Sequence, residues 1–353
     1  MIDKDCIIIG GGVAGLSAAI RLTELGKAPL VLEAGQYPGQ RICGEFFSPE
    51  CLPILQKWNV TPAASIEKCS FISHDKCIHF TLPATARGTS RYDFDMQLVQ
   101  LARKNGAEVL TEAVVDTLLQ PKSGKDPYQV VLADGRSFQS KSLMIGTGRL
   151  PQLKHSTTSQ LTYAGFKAHF SDIDMHETLE MHCFDGGYVG ISPVADGIVN
   201  IACLVRLDRM QGQDNFMQTL ATQQNMQRFS QHLEKGRMLF PAWMMGKVPE
   251  FGMRQNPAWP NVFWIGDAAG SIPPVCGDGL GIAITTGVMA AEYFSDKGAE
   301  AFKKDWLQSY RRRFFWGRLL HEVVQRPYLS SFAAGCCRLF PSLPHKLFKL
   351  TRS

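Results

Sequence analysis

Three glycines near the start of the chain have the spacing of a dinucleotide-binding turn. Gly10, Gly12 and Gly15 follow a short apolar run, residues 6–9, that predicts a buried parallel strand. An Ala- and Leu-rich helix is expected after them, through about residue 25. In such a turn the first glycine permits a tight bend, the second lets a pyrophosphate approach the backbone, and the third lets helix and strand pack closely. The N–H groups that open the helix then face the phosphates, beside Val13 and Ala14.

An acidic residue completes this pattern. A second predicted strand, residues 29–32, ends at Glu33, which Ala34 follows. A carboxylate roughly 20 residues beyond the glycines hydrogen-bonds the ribose hydroxyls of a dinucleotide. Strand, helix, strand and Glu in this order predict a Rossmann-like βαβ unit that binds a dinucleotide. A glycine-rich turn without a ligand is the alternative.

Composition limits the remaining classes. The chain has 353 residues, 45% hydrophobic and 20% charged, which suffices for one large domain or two interlocked ones with a substantial core. A net charge of +5 is small for this length and indicates no nucleic-acid partner. No apolar run approaches the roughly 20 residues of a membrane span. Because the first strand begins almost at Met1, we expect no signal peptide.

The cysteines and histidines show no metal-binding spacing. The ten cysteines include no C-x-x-C pair, and Cys336 and Cys337 are adjacent, which is poor geometry for a disulfide. His169, His176 and His182 are too irregularly placed to predict a metal site. We therefore expect reduced thiols, no bound metal and a cytoplasmic location.

A later segment identifies the dinucleotide through a family resemblance. Residues 261–267 read as a strand that ends in Gly266 and Asp267, and G-D-A-A-G is followed by P-x-x-G-x-G. This resembles the second FAD fingerprint of the flavoprotein hydroxylase and geranylgeranyl-reductase superfamily. The resemblance implies non-covalent FAD, with Asp267 at its ribityl or pyrophosphate portion. It also implies a flavin ring lined by the residues that open the next helix: Pro274, Gly277, Gly279 and Leu280.

Other stretches resemble the same superfamily. Residues 41–50 resemble the reductase segment C-G-G-G-L-S-P that passes the isoalloxazine, and residues 186–193 resemble a hairpin over the active site. Residues 113–115 are expected to form a strand in the stretch that returns to the adenine of FAD. The resemblance implies further FAD contacts at Arg41, Val115 and Gly148, although Arg41 could instead form a surface salt bridge.

Two departures from the superfamily pattern affect the expected chemistry. Thr147 stands where the hydroxylases carry an Asp implicated in nicotinamide-cofactor use. The electron source is therefore left open between NAD(P)H and a partner reductase. Gly190 and Ser192 replace the Trp and Phe of the reductase hairpin, which predicts a wider cavity. The W-x-W-x-I-P segment of halogenases is not found in the sequence.

The predicted fold is α/β. A Rossmann-like FAD-binding domain of the glutathione-reductase type is expected in three pieces, residues 1–60, 88–160 and 250–298. An inserted antiparallel β-sheet domain for the substrate is expected at residues 61–87 and 161–249, including a polar helix at about 211–235. Residues 299–353 should form C-terminal helices. Their mixture of basic and apolar residues allows peripheral membrane contact, but the sequence favours a helix that covers the FAD domain.

Candidate catalytic and substrate residues follow from the resemblance. Cys43 matches a cysteine near flavin and substrate in the lipid reductases, with a buried inert thiol as the alternative. Glu45 is a candidate proton donor or polar anchor, or else a surface-loop residue. The expected substrate is a largely apolar small molecule, since few charges converge there. The residues expected to contact it are Phe46, Phe47, Tyr188, Gly190 and Ser192.

Three functions remain open from the sequence. The first, favoured by a narrow margin, is a monooxygenase that hydroxylates or epoxidises an apolar molecule through a flavin hydroperoxide. The second is a reductase that delivers hydride to C=C bonds of a prenyl-type lipid. The third is a non-enzymatic FAD-binding scaffold or maturation partner.

Overall fold

The computed structural model describes residues 2–74, 76–121, 123, 126–149, 161–210 and 215–352. The strands, in chain order, are β1 (Ile2–Asp3), β2 (Cys6–Ile9), β3 (Pro29–Leu32), β4 (Phe46–Phe47), β5 (Ala64–Ser73), β6 (Lys76–Gly88), β7 (Glu108–Leu110), β8 (Val115–Leu119), β9 (Tyr128–Leu132), β10 (Ser137–Ser140), β11 (Leu143–Ile145), β12 (Leu161–Ser171), β13 (Thr178–Phe184), β14 (Gly187–Ala195), β15 (Ile198–Arg206), β16 (Arg237–Met238), β17 (Met244–Pro249), β18 (Gly252–Met253), β19 (Val262–Trp264) and β20 (Gly270–Ser271). The helices are α1 (Val13–Glu24), α2 (Leu52–Lys57), α3 (Arg91–Lys104), α4 (Phe216–Ala221), α5 (Gln227–Lys235), α6 (Gly279–Ser295), α7 (Gly298–Val324), α8 (Pro327–Leu339) and α9 (Leu343–Leu350).

A parallel sheet with the order β19-β11-β2-β3-β7 carries the glycine turn. Its central strands are apolar along their whole length and buried, as expected for a sheet covered on both faces. α1 and α6 pack together on one face. Side chains of the β8–β9–β10 meander pack on the other, around Tyr128 and Phe138. The predicted α/β architecture with a Rossmann-like unit is confirmed.

One short strand predicted from the sequence is not found at its expected position. The sequence placed a strand at residues 113–115, but the strand that pairs in parallel with β3 is β7. Ala113 is buried and Val114 is 48% exposed, because the chain there turns outward from the parallel sheet. Val115 then begins β8, which pairs antiparallel with β9.

A larger sheet faces the parallel one across the predicted cofactor site. Its order is β16-β12-β15-β14-β13-β5-β6-β4, with β17 also paired to β12. The pairings are antiparallel except that β13 runs parallel to β5. The predicted strands within residues 66–83 and 161–206 all belong to this sheet. The short strand β4 attaches the loop after β3 to its edge.

The polar helix predicted at about 211–235 is two helices, α4 and α5, with a 3-10 turn at Gln224–Met226 between them. Residues 211–214, where that helix was expected to begin, lie outside the described residues. Residues 150–160 also lie outside them, and they include the end of the segment that follows Thr147. Apolar side chains of α4 and α5, among them Phe216 and Phe229, cover one face of the larger sheet.

The C-terminal segment is helical, as expected. α7 packs Phe302, Trp306 and Phe314 into the core that α1 and α6 share, so it covers the cofactor domain. α8 and α9 then return to pack near β5 and β6. In the described part of the chain, no helix has the length and apolar character needed to cross a membrane.

Candidate functional site

The glycine turn is crowded at two positions and open at the third. A Cβ on Gly15 would lie 2.0 Å from the Gly10 carbonyl oxygen, and one on Gly10 would lie 2.4 Å from the Gly146 oxygen. Gly10 also has a φ of +101°, which disfavours any other residue. A Cβ on Gly12, the residue before α1, would meet no atom within 4 Å. Gly12 therefore leaves its backbone accessible at the start of the helix.

Glu33 is held against this turn. Its carboxylate accepts hydrogen bonds from the N–H groups of Gly11, at 2.7 Å, and Gly35, at 3.0 Å. Arg41 lies 3.3 Å from the same carboxylate and is 40% exposed in its side chain. Of the two roles considered for Arg41, the structure shows the salt bridge. Ala34 is exposed in the loop beside Glu33.

The second predicted cofactor segment forms a loop opposite the turn. After β19, Gly266 adopts a φ of +56° and Asp267 follows it. The Nε atom of Arg149 lies 3.6 Å from the Asp267 carboxylate. Gly277, with a φ of +63°, ends a short 3-10 helix and leads into α6. The N-terminus of α6 therefore points into the space between the two loops, where it favours negative charge.

A cavity of about 240 Å³ separates the turn from this loop. The predicted cofactor residues in its lining are Gly12, Val13, Ala14, Gly148, Gly266, Asp267, Pro274, Gly277, Gly279 and Leu280. Six predicted cofactor residues are not among the described residues that line this cavity: Gly10, Gly15, Glu33, Ala34, Arg41 and Val115. Gly10 and Gly15 instead shape the turn, and Val115 lies in β8.

The described lining fits a bound FAD. Cβ atoms on Gly12, Gly44, Gly148 and Gly279 would each meet no atom within 4 Å, so the backbone is open toward the cavity from several sides. Two helix N-termini, those of α1 and α6, border the same space. Backbone access and positive helix ends are what a pyrophosphate and an electron-rich flavin ring require.

Glu45 is a buried anchor, and the surface-loop alternative is wrong. Its side chain has no exposed surface; Lys167 Nζ lies 2.5 Å from one carboxylate oxygen and His169 Nε2 lies 2.6 Å from the other. The Arg91 N–H also donates to it at 2.6 Å. Burial raises the pKa of Glu45, but the hydrogen bond from His169 and the charge of Lys167 outweigh it and lower the pKa overall. An ionised, fully paired carboxylate anchors the loop and has no proton to donate.

The loop around Cys43 is tied to the hairpin formed by β14 and β15. The Asn200 side chain donates to the Cys43 carbonyl at 3.0 Å, and the Ser192 hydroxyl donates to the Gly44 carbonyl at 3.4 Å. The Cys43 sulfur accepts the Glu45 N–H at 3.3 Å. These bonds hold Cys43 between the cofactor cavity and the larger sheet.

A second cavity, of about 100 Å³, adjoins the first on the side of the hairpin. Its lining includes the predicted substrate residues Phe46, Tyr188, Gly190 and Ser192. The candidate catalytic residue Cys43 lines it as well. Burial raises the pKa of Tyr188 well above its usual value, which keeps the phenol neutral.

Phe47 does not belong to this group. It has no exposed surface and packs edge-on against Phe94 of α3, with ring centroids 4.5 Å apart. Successive residues of β4 point to opposite sides, so Phe46 faces the cavity and Phe47 faces the core. The expected substrate contact of Phe47 is therefore wrong.

A third cavity, of about 150 Å³, extends the second away from the cofactor site. Both cavities share lining from Phe46, Leu179, Met181, Val275 and Gly277. The far wall comes from α8 and α9, including Ala334, Cys337 and Leu347. Sequence reasoning missed this wall, although the small residues at the 334 and 337 positions are a helical spacing apart.

Other site residues were also missed. Arg91 and Arg149 line the cofactor cavity, and Lys167 and His169 hold the loop through Glu45. Lys167 and His169 alternate on β12, so both side chains project from one face of the sheet. A buried strand with two basic residues on one face was the available signal.

A separate cluster of charged and polar side chains connects α5 to β13 of the larger sheet. Glu180 lies 3.0 Å from His182 and 3.0 Å from His232, and Arg228 also pairs with it. The three potential ligand atoms of Glu180, His182 and His232 lie within 4.8 Å of one another. The Arg228 guanidinium compensates the charge of the Glu180 carboxylate, so the cluster forms an ion-pair network between α5 and β13.

Comparison with known proteins agrees with this site. Residues 5–42 match the model of an FAD binding domain. Menaquinone reductase of Mycolicibacterium smegmatis is 25% identical to the chain over 92% of this chain and 85% of its own. Digeranylgeranylglycerophospholipid reductase of Methanospirillum hungatei is 25% identical over 86% of this chain and 77% of its own.

The structure of the flavin-dependent brominase Bmp2 shares the fold. It has a TM-score of 0.80 at 15% identity and covers 99% of this chain and 93% of that one. Together with the two loops and the cavity between them, these matches confirm the resemblance stated above and the FAD cofactor. The chain is therefore an FAD-dependent oxidoreductase that resembles the flavoprotein hydroxylase and geranylgeranyl-reductase superfamily.

Proposed function

We propose that the protein reduces carbon–carbon double bonds in a long-chain, prenyl-type lipid. The observation that carries this proposal is the apolar passage formed by the second and third cavities. It runs from Cys43, at the cofactor site, to the inner side of α8 and α9. Its walls, which include Phe71, Phe80 and Leu82, suit an extended hydrocarbon chain and penalise a charged one.

The cofactor would occupy the cavity lined by Gly12, Asp267 and Gly279. Reduced FAD supplies a hydride when it is bound. Saturating a double bond takes one hydride on one carbon and one proton on its neighbour. The protein's part is to place the double bond beside the flavin, exclude water and deliver that proton.

Cys43 is the proposed proton donor. It lines both the cofactor cavity and the adjoining substrate cavity, where such a proton is needed. Glu45 cannot take this role because its pKa is lowered by His169 and Lys167. The Cys43 thiolate that remains after transfer is reprotonated from solvent.

The names of the relatives favour the reductase reaction over the monooxygenase reaction. The two curated relatives described above match most of this chain and are both named as reductases. The brominase structure, at 15% identity, bears on the fold alone. The third function considered, a scaffold without catalysis, is set aside because the chain is an oxidoreductase.

A monooxygenase that acts on an apolar molecule is the second candidate. The feature that favours it is the hairpin, where Gly190 and Ser192 line the cavity without filling it. A Cβ on Gly190 would lie 3.7 Å from Met181 Sδ and meet nothing closer. This leaves room for a planar ring beside the cofactor site.

One experiment separates the two reactions. The FAD-loaded protein is photoreduced without oxygen and mixed with geranylgeraniol, either anaerobically or with ¹⁸O₂. A reductase oxidises its flavin anaerobically and adds two hydrogens to the lipid, as measured by mass spectrometry. A product that forms only with ¹⁸O₂ and carries the label would overturn the reductase proposal in favour of the monooxygenase.

A further inference from the structure

The outer side of α8 is apolar although it faces solvent. Tyr328, Phe332, Leu339 and Phe340 are 91%, 70%, 76% and 64% exposed. Single exposed apolar residues are ordinary, but a group of large ones on one short segment marks a binding surface. These four residues are called the α8 face below.

Helical spacing puts this group on one side. Tyr328, Phe332 and Leu339 are separated by four and seven residues, so they project in the same direction. Ala334 and Cys337 lie on the other side and line the third cavity. A single helix therefore separates the apolar passage from the α8 face.

The surrounding charge is positive. From Arg311 to Arg352 the sequence contains one acidic residue, Glu322, which pairs with Arg326. Exposed cations in this stretch include Arg318, Arg338, Lys346 and Lys349. An apolar face bordered by lysine and arginine is complementary to the surface of an anionic bilayer.

We propose that the α8 face docks on an anionic lipid bilayer and that substrate enters the passage from that bilayer, beside α8. Entry of a lipid substrate rests on the proposed function, whereas docking itself does not. The bilayer supplies both an apolar layer for Phe332 and Leu339 and phosphates for the nearby cations. A second copy of this chain would supply the apolar contact but would bring the same positive charge.

The test uses the FAD-loaded full chain and vesicles of phosphatidylcholine, with or without phosphatidylglycerol. The protein should sediment with the anionic vesicles, less at high salt and less with phosphatidylcholine alone. The combined variant Phe332→Ser, Leu339→Ser and Phe340→Ser should bind about tenfold or more weakly, because it loses apolar area that enters the bilayer. Its FAD content should not change, since these side chains are exposed.

A matched control removes apolar side chains elsewhere. Val114 and Leu119 are each 48% exposed, in and beside the β8 strand, and their replacement by Ser should leave vesicle binding unchanged. Equal vesicle binding by the α8-face variant and the wild type would overturn the proposal. So would a wild-type dimer, seen by sedimentation velocity, that fails to bind vesicles and that the variant dissociates.

Turnover separates docking from the reaction. With lipid substrate embedded in anionic vesicles, the α8-face variant should lose most activity, whereas with detergent-dispersed substrate it should match the wild type. Equal loss in both assays would overturn entry beside α8. Vesicle binding without turnover of any prenyl lipid would refute the proposed function and leave the docking surface standing.

Discussion

At the scale of single residues, the protein relies on charges that it buries and then compensates. Glu45 and Lys167 have no exposed side-chain surface, and His169 completes the group. Glu45 also has a φ of +56°, so the loop that passes the cofactor cavity is bent at this residue. The ion pair therefore fixes the loop at a position where its backbone is unfavourable on its own.

Breaking this pair should strongly destabilise the fold. Glu45→Gln leaves the Lys167 ammonium buried without a counter-charge, which typically costs about 3–5 kcal/mol. We expect that loss in the free energy of unfolding, measured by urea denaturation of the FAD-loaded protein. The double variant Glu45→Gln, Lys167→Met removes both charges and should recover part of it. A single variant within about 1 kcal/mol of the wild type would contradict this account.

Asp278, which precedes α6, should make stability depend on pH. Burial raises its pKa to about 6, although Arg352 and Arg313 oppose the shift. The folded protein thus keeps a proton that the unfolded chain releases above a pH of about 4. Stability from this residue therefore falls as pH rises through the window between about 4 and 6.

The comparison variant is Asp278→Asn, which cannot titrate. Relative to it, the wild type should lose up to about 3 kcal/mol of unfolding free energy between pH 4 and pH 6.5. Denaturation at several pH values measures the difference, with the exposed Asp134→Asn as a control that should show no such trend. A constant offset between wild type and Asp278→Asn would show that Asp278 stays ionised throughout.

Cys43 should matter for the reaction and not for the cofactor. Cys43→Ala should keep FAD bound, because the turn and the Asp267 loop remain. Lipid reduction should slow by about 100-fold or more, the usual contribution of a positioned proton donor. The measurement is anaerobic reoxidation of photoreduced flavin by the lipid. Cys51→Ala provides a matched control, since Cys51 is a buried cysteine in the core. Unchanged turnover in Cys43→Ala would leave the thiol without a catalytic role.

At the scale of elements, the sequence predicted strands and helices correctly where several local signals occur side by side. β2 and β3 lie where the sequence placed them, because an apolar run, a glycine turn and a helix follow one another without interruption. The strand expected at residues 113–115 failed because short apolar runs do not specify their pairing partner. The partner of β3 is instead β7, which contributes only three residues.

Contacts between segments that are distant in the chain could not be predicted from the sequence. The pairing of Glu45 with Lys167 and His169 depends on how the larger sheet meets the loop after β3. The wall that α8 gives to the third cavity depends in the same way on the path of the chain after α7. Phe46 and Phe47 show the same limit at short range, since the sequence does not say which of two neighbours faces the cavity.

The hairpin of β14 and β15 should set the size of the substrate cavity. Gly190 pairs with Ala202 across it, and both line the second cavity. Gly190→Trp should fill this space and reduce turnover while FAD remains bound, whereas Gly190→Ala should be tolerated because a Cβ meets only ordinary contacts. Flavin absorbance and product formation measure the two effects. Full activity in the Trp variant would show that the hairpin does not border the substrate.

At the scale of the whole molecule, the cofactor cavity lies between two sheets, and the proposed substrate passage continues beneath the C-terminal helices. The parallel sheet supplies the glycine turn and the Asp267 loop, and the larger sheet supplies the hairpin. α7 joins these parts, since it packs on the cofactor domain and leads into α8. A substrate can therefore reach the cofactor site from a side that the dinucleotide does not occupy.

This arrangement bears on the electron source. Within the described residues, the turn at Gly10, Gly12 and Gly15 is the one strand–glycine–helix cradle of the dinucleotide type, and FAD takes it. A nicotinamide cofactor would have to bind transiently beside the flavin, at a position where Thr147 replaces the expected Asp.

We therefore expect NADPH or NADH to reduce the flavin slowly, and a partner reductase to supply electrons faster. Anaerobic stopped-flow absorbance measures the reduction rate, with dithionite as the positive control. Thr147→Asp should accelerate reduction by NADPH if the missing carboxylate is the cause. Rapid bleaching of the wild-type flavin by micromolar NADPH alone would show that the substitution does not limit nicotinamide use and that no protein donor is needed.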